Sequence, residues 1–330
     1  MAFSVPPPLP DLPIAPLETI DFVALEQKDP VEVEKLLSAC QTQGFFYLAL
    51  EGNPESARVV ADKEDVLRVM EKYFAQPLEV KMQDDRGSVT DGYKPVGIFT
   101  GAAKETRDGY ETLKVSRNSL RENSPYIATM LQQNTALFTS FIERSHHVTT
   151  TLLSCLSDAL ELKSSARLEA HHREGEPTNT TLVLLKYPKD VSPDHLGHNK
   201  HTDIGSITFL FSSQWGLQVV TPGTRAWAYV QPRPNHAIIN VGDSLRFLSG
   251  KKLASCLHRV VPVPGMPQED RYSIAYFRRP ESGVEFTEAE GKRVSAKQWH
   301  DDKYVMFGEP HAKQDASMML TGGMEPILMG

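Results

Sequence analysis

The chain has 330 residues, 40% of them hydrophobic and 23% charged, with a formal charge of −7. That composition supplies a sizeable core and excludes wholesale disorder. The acidic balance argues against a nucleic-acid backbone or an anionic membrane surface as the main partner.

Residues 1–16 read as an extended, proline-rich lead-in. Ile20 to Val23 is a short strand signal, and Val31 to Gln43 carries a helical stripe (Val31, Val33, Leu36, Leu37, Cys40) that stops near Gly44. Gly44-Phe45-Phe46-Tyr47-Leu48 is an aromatic strand. A helix is expected over 60–83, with Val66, Val69, Met70, Tyr73 and Phe74 on one side, then a turn-rich loop from Gly92 to Gly97. A long helical tract covers 124–162, where Ile127, Met130, Leu131, Leu137, Phe138 and Phe141 keep near-helical spacing. The texture changes after 178. A strand over 181–187 is followed by short β-type runs at 205–212, 216–220, 226–231, 236–240, 257–263 and 271–277. Many short strands at this spacing point to a sandwich or barrel. From 286 the sequence is polar and helix-compatible again (Ser295 to Trp299) and ends in a Met- and Gly-rich stretch. The chain thus divides into 1–177, a helical and strand region; 178–285, a β core; and 286–330, a tail or lid, forming a single structural unit.

Cys40, Cys155 and Cys256 are odd in number and widely spaced. They fit neither a zinc pattern nor a disulfide framework, as expected for a reducing compartment. No run approaches the ~20 apolar residues of a membrane span. The first residues lack a signal or transit pattern, and Leu328-Met329-Gly330 is no recognised sorting address. A soluble cytoplasmic protein is the simplest expectation, with no oligomeric state set.

Two histidines and an aspartate carry the chemistry. In a strand, residues i and i+2 share a side, so His201 and Asp203, at the head of a strand-like run, are expected to project together. His258 begins a distant β-run and supplies a third donor only inside a curled sheet. Two imidazoles and one carboxylate occupy one face of an iron ion and leave the other open to a co-substrate and O2. The plainer readings are a surface His-x-Asp pair and a core histidine bonded to backbone. Arg271-Tyr272-Ser273 then places an arginine and a serine on one strand face. An arginine facing a β interior needs an anion: either a protein acid such as Asp243, or a carboxylate-bearing co-substrate matched by its planar fork. His195 and His198 are expected in a loop near the site entrance, because Pro193, Gly197 and Asn199 disfavour a helix. His171-His172 is expected in an exposed turn.

Taken together, His201-Thr202-Asp203, His258-Arg259-Val260 and Arg271-Tyr272-Ser273 resemble the iron(II)/2-oxoglutarate-dependent dioxygenase superfamily, in its isopenicillin-N-synthase-like branch. Further matches are Ile20-Asp21-Phe22, Ala39-Cys40 through Gly44-Phe45-Phe46, Tyr73-Phe74, Gly92-Tyr93, Lys186-Tyr187-Pro188, Gly216-Leu217-Gln218-Val219 and Asn240-Val241-Gly242-Asp243. The resemblance implies a mainly β fold, a double-stranded β-helix (jelly-roll) core with flanking helices. It also implies Fe(II) held by His201, Asp203 and His258, 2-oxoglutarate paired with Arg271 and Ser273, and O2 as the second co-substrate. Tyr187 is the position whose hydroxyl helps hold a carboxylate, although Leu185 and Lys186 stand where the plant pattern has Asn-Tyr. The implied activity is oxidation of an unactivated C–H bond of a small metabolite (hydroxylation, desaturation, ring closure or ring expansion), in specialised biosynthesis. Rival readings are an iron oxidase of the isopenicillin-N-synthase type that consumes no 2-oxoglutarate, and a non-enzymatic jelly-roll binding protein. By analogy, the pocket walls are sought in Tyr93 to Phe99, Leu217, Phe277 and the tail from Trp299 to Met319.

Overall fold

A computed structural model describes residues 12–52, 54–266 and 269–324. Most of the expected proline-rich lead-in, and Leu328-Met329-Gly330, lie outside the described residues.

Strands are numbered along the chain: β1 Thr19–Asp21, β2 Phe45–Ala49, β3 Gly92–Lys94, β4 Glu111–Ser116, β5 Thr181–Tyr187, β6 His198–His201 and β7 Ile207–Phe211. They continue with β8 Leu217–Val220, β9 Trp227–Tyr229, β10 His236–Val241, β11 His258–Val260, β12 Arg271–Arg278, β13 Glu285–Thr287 and β14 Arg293–Ser295. An eight-stranded sheet runs β1-β2-β10-β7-β12-β5-β4-β3, and a four-stranded sheet runs β6-β11-β8-β9. Only β1 and β2 pair in parallel within these two sheets. The larger sheet draws β1 to β4 from before residue 178, so the first segment contributes strands as well as helices.

Two-residue alternation sorts the larger sheet's side chains. Phe46, Leu48, Leu184, Phe209, Ile274 and Tyr276 join one core with Leu67, Met70, Phe138 and Phe141, from helices Pro54–Phe74 and Thr135–Ala159. Phe45, Tyr47, Val183, Leu185, Ile238 and Ala275 point the other way and pack on Leu217, Val219 and Val260 of the smaller sheet. The interior between the sheets is where Arg271, Ser273 and Tyr187 also point, because each shares strand parity with those residues. The mainly β, jelly-roll-type architecture with flanking helices is as expected.

Several boundaries moved for identifiable reasons. The strand signal at 20–23 stops at Asp21, whose carboxylate accepts from Val23 N at 2.8 Å and Ala24 N at 3.2 Å and starts helix Phe22–Glu26. Helix Pro30–Thr42 has Asp29 as its cap and proline in its first turn. It ends at Gly44, where φ is +66° and a Cβ would be driven into the Ala254 carbonyl oxygen. The helix expected over 60–83 runs Pro54–Phe74, ahead of Pro77, with a separate short helix Leu78–Lys81. The tract over 124–162 splits at Asn134 into Thr129–Gln133 and Thr135–Ala159. The expected loop at Gly92 opens as β3, and β4 was not anticipated. These two strands bury charge beside the apolar Tyr93, Leu113 and Val115: Lys81 pairs with Glu111 at 2.5 Å and Lys94 with Asp108 at 2.5 Å. Cys40, Cys155 and Cys256 are all buried and free.

His172, expected in an exposed turn, is buried. Its Nδ1 faces the Leu168 carbonyl at 2.8 Å and its Nε2 the Ser206 hydroxyl at 2.8 Å. Burial holds its pKa well below the ordinary value, and burial with the nearby Arg279 charge brings His300 down to about 3. A histidine depressed in the folded state takes up its proton on unfolding. The stability it contributes is therefore complete above its ordinary value of 6.5 and is lost as the pH falls toward 3. The urea midpoint of the apo protein is expected to fall steadily below about pH 6.5; a flat profile between pH 7 and 4 would contradict neutral burial of these rings.

Candidate metal centre

His201 is the last residue of β6 rather than the head of a strand, and it pairs in register with His258, the first residue of β11. Cross-strand pairing brings the two rings to 4.3 Å between centroids. Asp203 lies outside the strand, in the link that carries the chain into β7 of the larger sheet. The i, i+2 argument therefore does not place it. Instead its Oδ2 accepts from Asn240 Nδ2 at 2.6 Å and from the Thr208 hydroxyl. Asn240 and Thr208 are register partners on β10 and β7, so one cross-strand pair of the larger sheet fixes the carboxylate.

That leaves Asp203 Oδ1 facing both rings, 3.6 Å from His201 Nε2 and 3.6 Å from His258 Nε2. A carbonyl oxygen only accepts, so the ring nitrogen facing one must carry the proton. His201 Nδ1 faces Asn199 O at 2.8 Å and His258 Nδ1 faces Cys256 O at 3.1 Å. Both Nε2 lone pairs therefore point at the space beside Asp203 Oδ1. Burial, with His201 beside it, lowers His258 to about 4, which keeps it a neutral ligand at neutral pH. Burial alone would raise the Asp203 carboxyl. The adjacent His258 and His201 rings and the Asn240 bond outweigh that and hold it far below the usual carboxylate range. The three donor atoms lie within 4.8 Å of one another, and all three residues are buried. No fourth protein donor joins the group among the described residues. An N2O set with no fourth protein donor among the described residues fits a non-haem ferrous ion.

The link itself is braced from behind. Lys303 Nζ donates to Thr202 Oγ1 at 2.8 Å and to Asp243 Oδ2 at 2.5 Å, with all three residues fully buried. Thr202 N also donates to Leu320 O at 3.1 Å, so the C-terminal segment straps the link. Asp243 N donates to Asp203 O at 2.8 Å. A Cβ at Gly242 would be driven into the Gly205 carbonyl oxygen, so the crossing of these backbones requires glycine. Gly242→Ala is expected to reduce metal affinity together with stability, checked by Fe(II) titration and thermal unfolding. Unchanged values in both would contradict the close approach. Lys303→Met leaves Asp243 a buried carboxylate without a cation and is expected to cost about 3–5 kcal/mol in urea unfolding. A variant as stable as its parent would contradict that pairing.

Arg271 and Asp243 do not pair, because Asp243 is held by Lys303. Arg271 is 8% exposed and donates only to neutral oxygens: Trp215 O at 3.0 Å, Ser273 Oγ at 2.9 Å and Ser212 Oγ at 2.9 Å. Among the described residues no carboxylate forms an ion pair with it. The Tyr187 ring sits 5.0 Å from its Cζ, in register across β5 and β12. Burial pushes the Tyr187 hydroxyl up to about 12, so it stays a proton donor. A buried guanidinium with no counter-ion is costly, and a bound carboxylate supplies what is missing.

His198 is not a loop residue. It lies in β6, stacked on His201 with centroids 4.3 Å apart and planes at 22°. Its Nε2 is 3.3 Å from the Tyr110 hydroxyl. Of the expected pocket walls, Phe99 packs 6.0 Å from Phe307, whose ring stands edge-on to His201 at 5.5 Å. Trp299 instead joins a separate cluster with Ile204, Phe247 and Phe286. Sequence reasoning missed Thr208, the Lys303–Asp243 pair and the role of Asn240. Asn240 stood in the quoted Asn-Val-Gly-Asp motif, and a polar residue of inward parity in an apolar strand was its signal.

Residues 178–280 match the family model of the 2OG-Fe(II) oxygenase superfamily. Residues 17–136 match the model described as the non-haem dioxygenase in morphine synthesis N-terminal. A 2-oxoglutarate-dependent dioxygenase, frbH, of Dothideomycetidae sp. is 46% identical over 310 residues, covering 94% of this chain and 96% of that one. Another, iboH of Amanita muscaria, is 60% identical over 201 residues, which is 60% of this chain and 98% of that one. Among solved structures, a full-length Neurospora crassa protein in complex with alpha-KG superposes with a TM-score of 0.70 at 22% identity, covering 90% of this chain and 98% of that one. With close relatives aligned along nearly the whole chain and both family models matched, the protein belongs to the 2OG-Fe(II) oxygenase superfamily.

Proposed function

We propose that this protein is an Fe(II)- and 2-oxoglutarate-dependent oxygenase that oxidises an unactivated C–H bond of a small metabolite in specialised biosynthesis. His201, Asp203 and His258 hold the metal; Arg271 and Ser273, with Tyr187 beside them, hold the distal carboxylate of 2-oxoglutarate. The observation that carries this reading is Arg271, a buried cation with only neutral oxygens around it, in the interior shared with a three-donor site. When bound, the metal supplies O2 activation coupled to oxidative decarboxylation of 2-oxoglutarate. The chain's part is to orient three donors, turn both Nε2 lone pairs to the metal and seat the co-substrate carboxylate. Segments 1–177, 178–285 and 286–330 act as one unit, with the tail bracing the metal loop through Lys303. No helix among the described residues is long and apolar enough to cross a membrane. A cytoplasmic location and a lack of nucleic-acid or membrane partners belong to the same proposal.

The test is stoichiometry. Each substrate oxidised is expected to release one succinate and one CO2, with no turnover when 2-oxoglutarate is withheld. Substrate oxidation under O2 and Fe(II) without 2-oxoglutarate would overturn this form of the reading in favour of an oxidase.

A further inference from the structure

Two more buried cations share the interior with the metal centre, and the co-substrate accounts for neither. Lys114 lies on β4, and Arg279 directly follows β12; they are 7% and 5% exposed. Strand parity turns both inward, Lys114 opposite Val183 and Arg279 in line with Arg271, Ser273 and Phe277. Lys114 Nζ donates to the Val89 carbonyl at 3.2 Å. Arg279 donates to the Asn179 carbonyl and to the Tyr304 hydroxyl, while its Nε has no partner. Among the described residues neither forms an ion pair with a carboxylate. Other buried lysines nearby are already matched, Lys94 by Asp108 and Lys303 by Asp243.

The two cations converge on Tyr304. Lys114 Nζ is 5.0 Å from the centre of its ring. Burial pushes the Tyr304 hydroxyl up, but the charges of Lys114 and Arg279 beside it outweigh that and leave it below its ordinary value. Tyr304 is 5.8 Å from Phe307, whose ring lies 5.5 Å from that of His201. The Arg279 side chain also lies against Gly205, just beyond Asp203. Two aromatic rings, Tyr304 and Phe307, therefore separate the cation pair from a metal ligand. On the same face of β4, the Thr112 hydroxyl is buried with no hydrogen-bond partner.

We propose that Lys114 and Arg279, with the Tyr304 and Thr112 hydroxyls, form the subsite that recognises an anionic oxygen group of the substrate, a carboxylate or a phosphate. This rests on the oxygenase reading, and it narrows the substrate to an anionic small molecule held at a fixed distance from the metal. Uncompensated buried charge is destabilising, so the cations are retained for a ligand rather than for folding. An ammonium and a guanidinium edge together bind an oxyanion through charge-assisted bonds. Phe99, Phe307 and the Tyr304 ring supply apolar walls that exclude water from that contact.

The experiment uses the whole protein, saturated anaerobically with Fe(II) and 2-oxoglutarate so that Arg271 is occupied. Thermal unfolding is measured in acetate, in methyl phosphate and in chloride at matched ionic strength, for the parent and for K114M/R279M. One of the two oxyanions is expected to raise the parent's midpoint above that in chloride, and the one that does identifies the group. The double variant is expected to lose that response, with oxyanion affinity at least about tenfold weaker, and to melt no lower than the parent in chloride. K114R is expected to keep the response. No oxyanion effect in the parent, an equal effect in the double variant, or a double variant that melts well below the parent would overturn the subsite. Failure of the oxygenase reading shows separately, as failure of the protein to take up Fe(II) and 2-oxoglutarate before any probe is added.

Discussion

Replacing His201 or Asp203 with alanine is expected to abolish Fe(II) binding and turnover while leaving the fold in place. Each residue supplies one of only three donor atoms, and losing one leaves two, too few to hold a ferrous ion against water and buffer. The fold is expected to survive because little of it rests on these side chains. His201 makes a single bond from its ring to a backbone carbonyl, and the register of β6 with β11 is kept by backbone pairing. Asp203→Ala strands the Asn240 amide and Thr208 hydroxyl that its Oδ2 occupied, a cost of about 1–3 kcal/mol for each group left unsatisfied. Asp203→Asn is therefore the gentler control. The check is bound iron per chain and succinate formed, beside a far-ultraviolet spectrum that matches the parent. Activity retained in both alanine variants would mean that the triad is wrongly assigned.

Arg271→Met is expected to separate co-substrate binding from stability. In the parent the guanidinium is buried with neutral partners alone. Truncating one member of a buried, hydrogen-bonded charge pair typically costs about 2–5 kcal/mol of affinity. The apparent KM for 2-oxoglutarate should rise at least about thirtyfold. The unliganded variant should unfold no earlier than the parent, because an unpaired buried cation has been exchanged for an apolar side chain of similar length. Added 2-oxoglutarate should stabilise the parent through linked binding and leave the variant nearly unmoved. A variant that loses stability but keeps its KM would make Arg271 a structural residue.

The legible part of this molecule was the part written in local pattern. β5 runs over the expected 181–187, and helix Pro30–Thr42 is bounded by the Asp29-Pro30 start and the Gly44 stop that sequence rules anticipate. His201, Asp203, His258, Arg271 and Ser273 were singled out by the family resemblance of their motifs, while the reason for their placement was not legible. His201 and Asp203 read as strand neighbours. In the folded chain the histidine is set by pairing with β11 and the aspartate by two residues of the opposite sheet. No local signal reports which distant strand will lie across from Asp203. Strands β3 and β4 escaped notice because Lys94, Glu111 and Lys114 interrupt their apolar pattern. Their charges are satisfied by partners far along the chain or, at Lys114, held for the proposed anion. His198 was lost to the same effect. Gly197 and Asn199 read as loop formers, yet a Cβ at Gly197 would strike the Val260 carbonyl oxygen, so that glycine marks the close approach of β6 to β11.

One ferrous ion and one 2-oxoglutarate are expected to meet in the space between His201, Asp203, His258 and Arg271. An anaerobic titration of the purified protein with Fe(II) and then 2-oxoglutarate, followed in the visible spectrum, tests it most directly. One iron per chain is expected, with a metal-to-ligand charge-transfer band that grows with 2-oxoglutarate to one equivalent. The band should be absent in Asp203→Ala and displaced to much higher 2-oxoglutarate in Arg271→Met. A band of equal strength in Asp203→Ala, or none in the parent protein with iron bound, would contradict it.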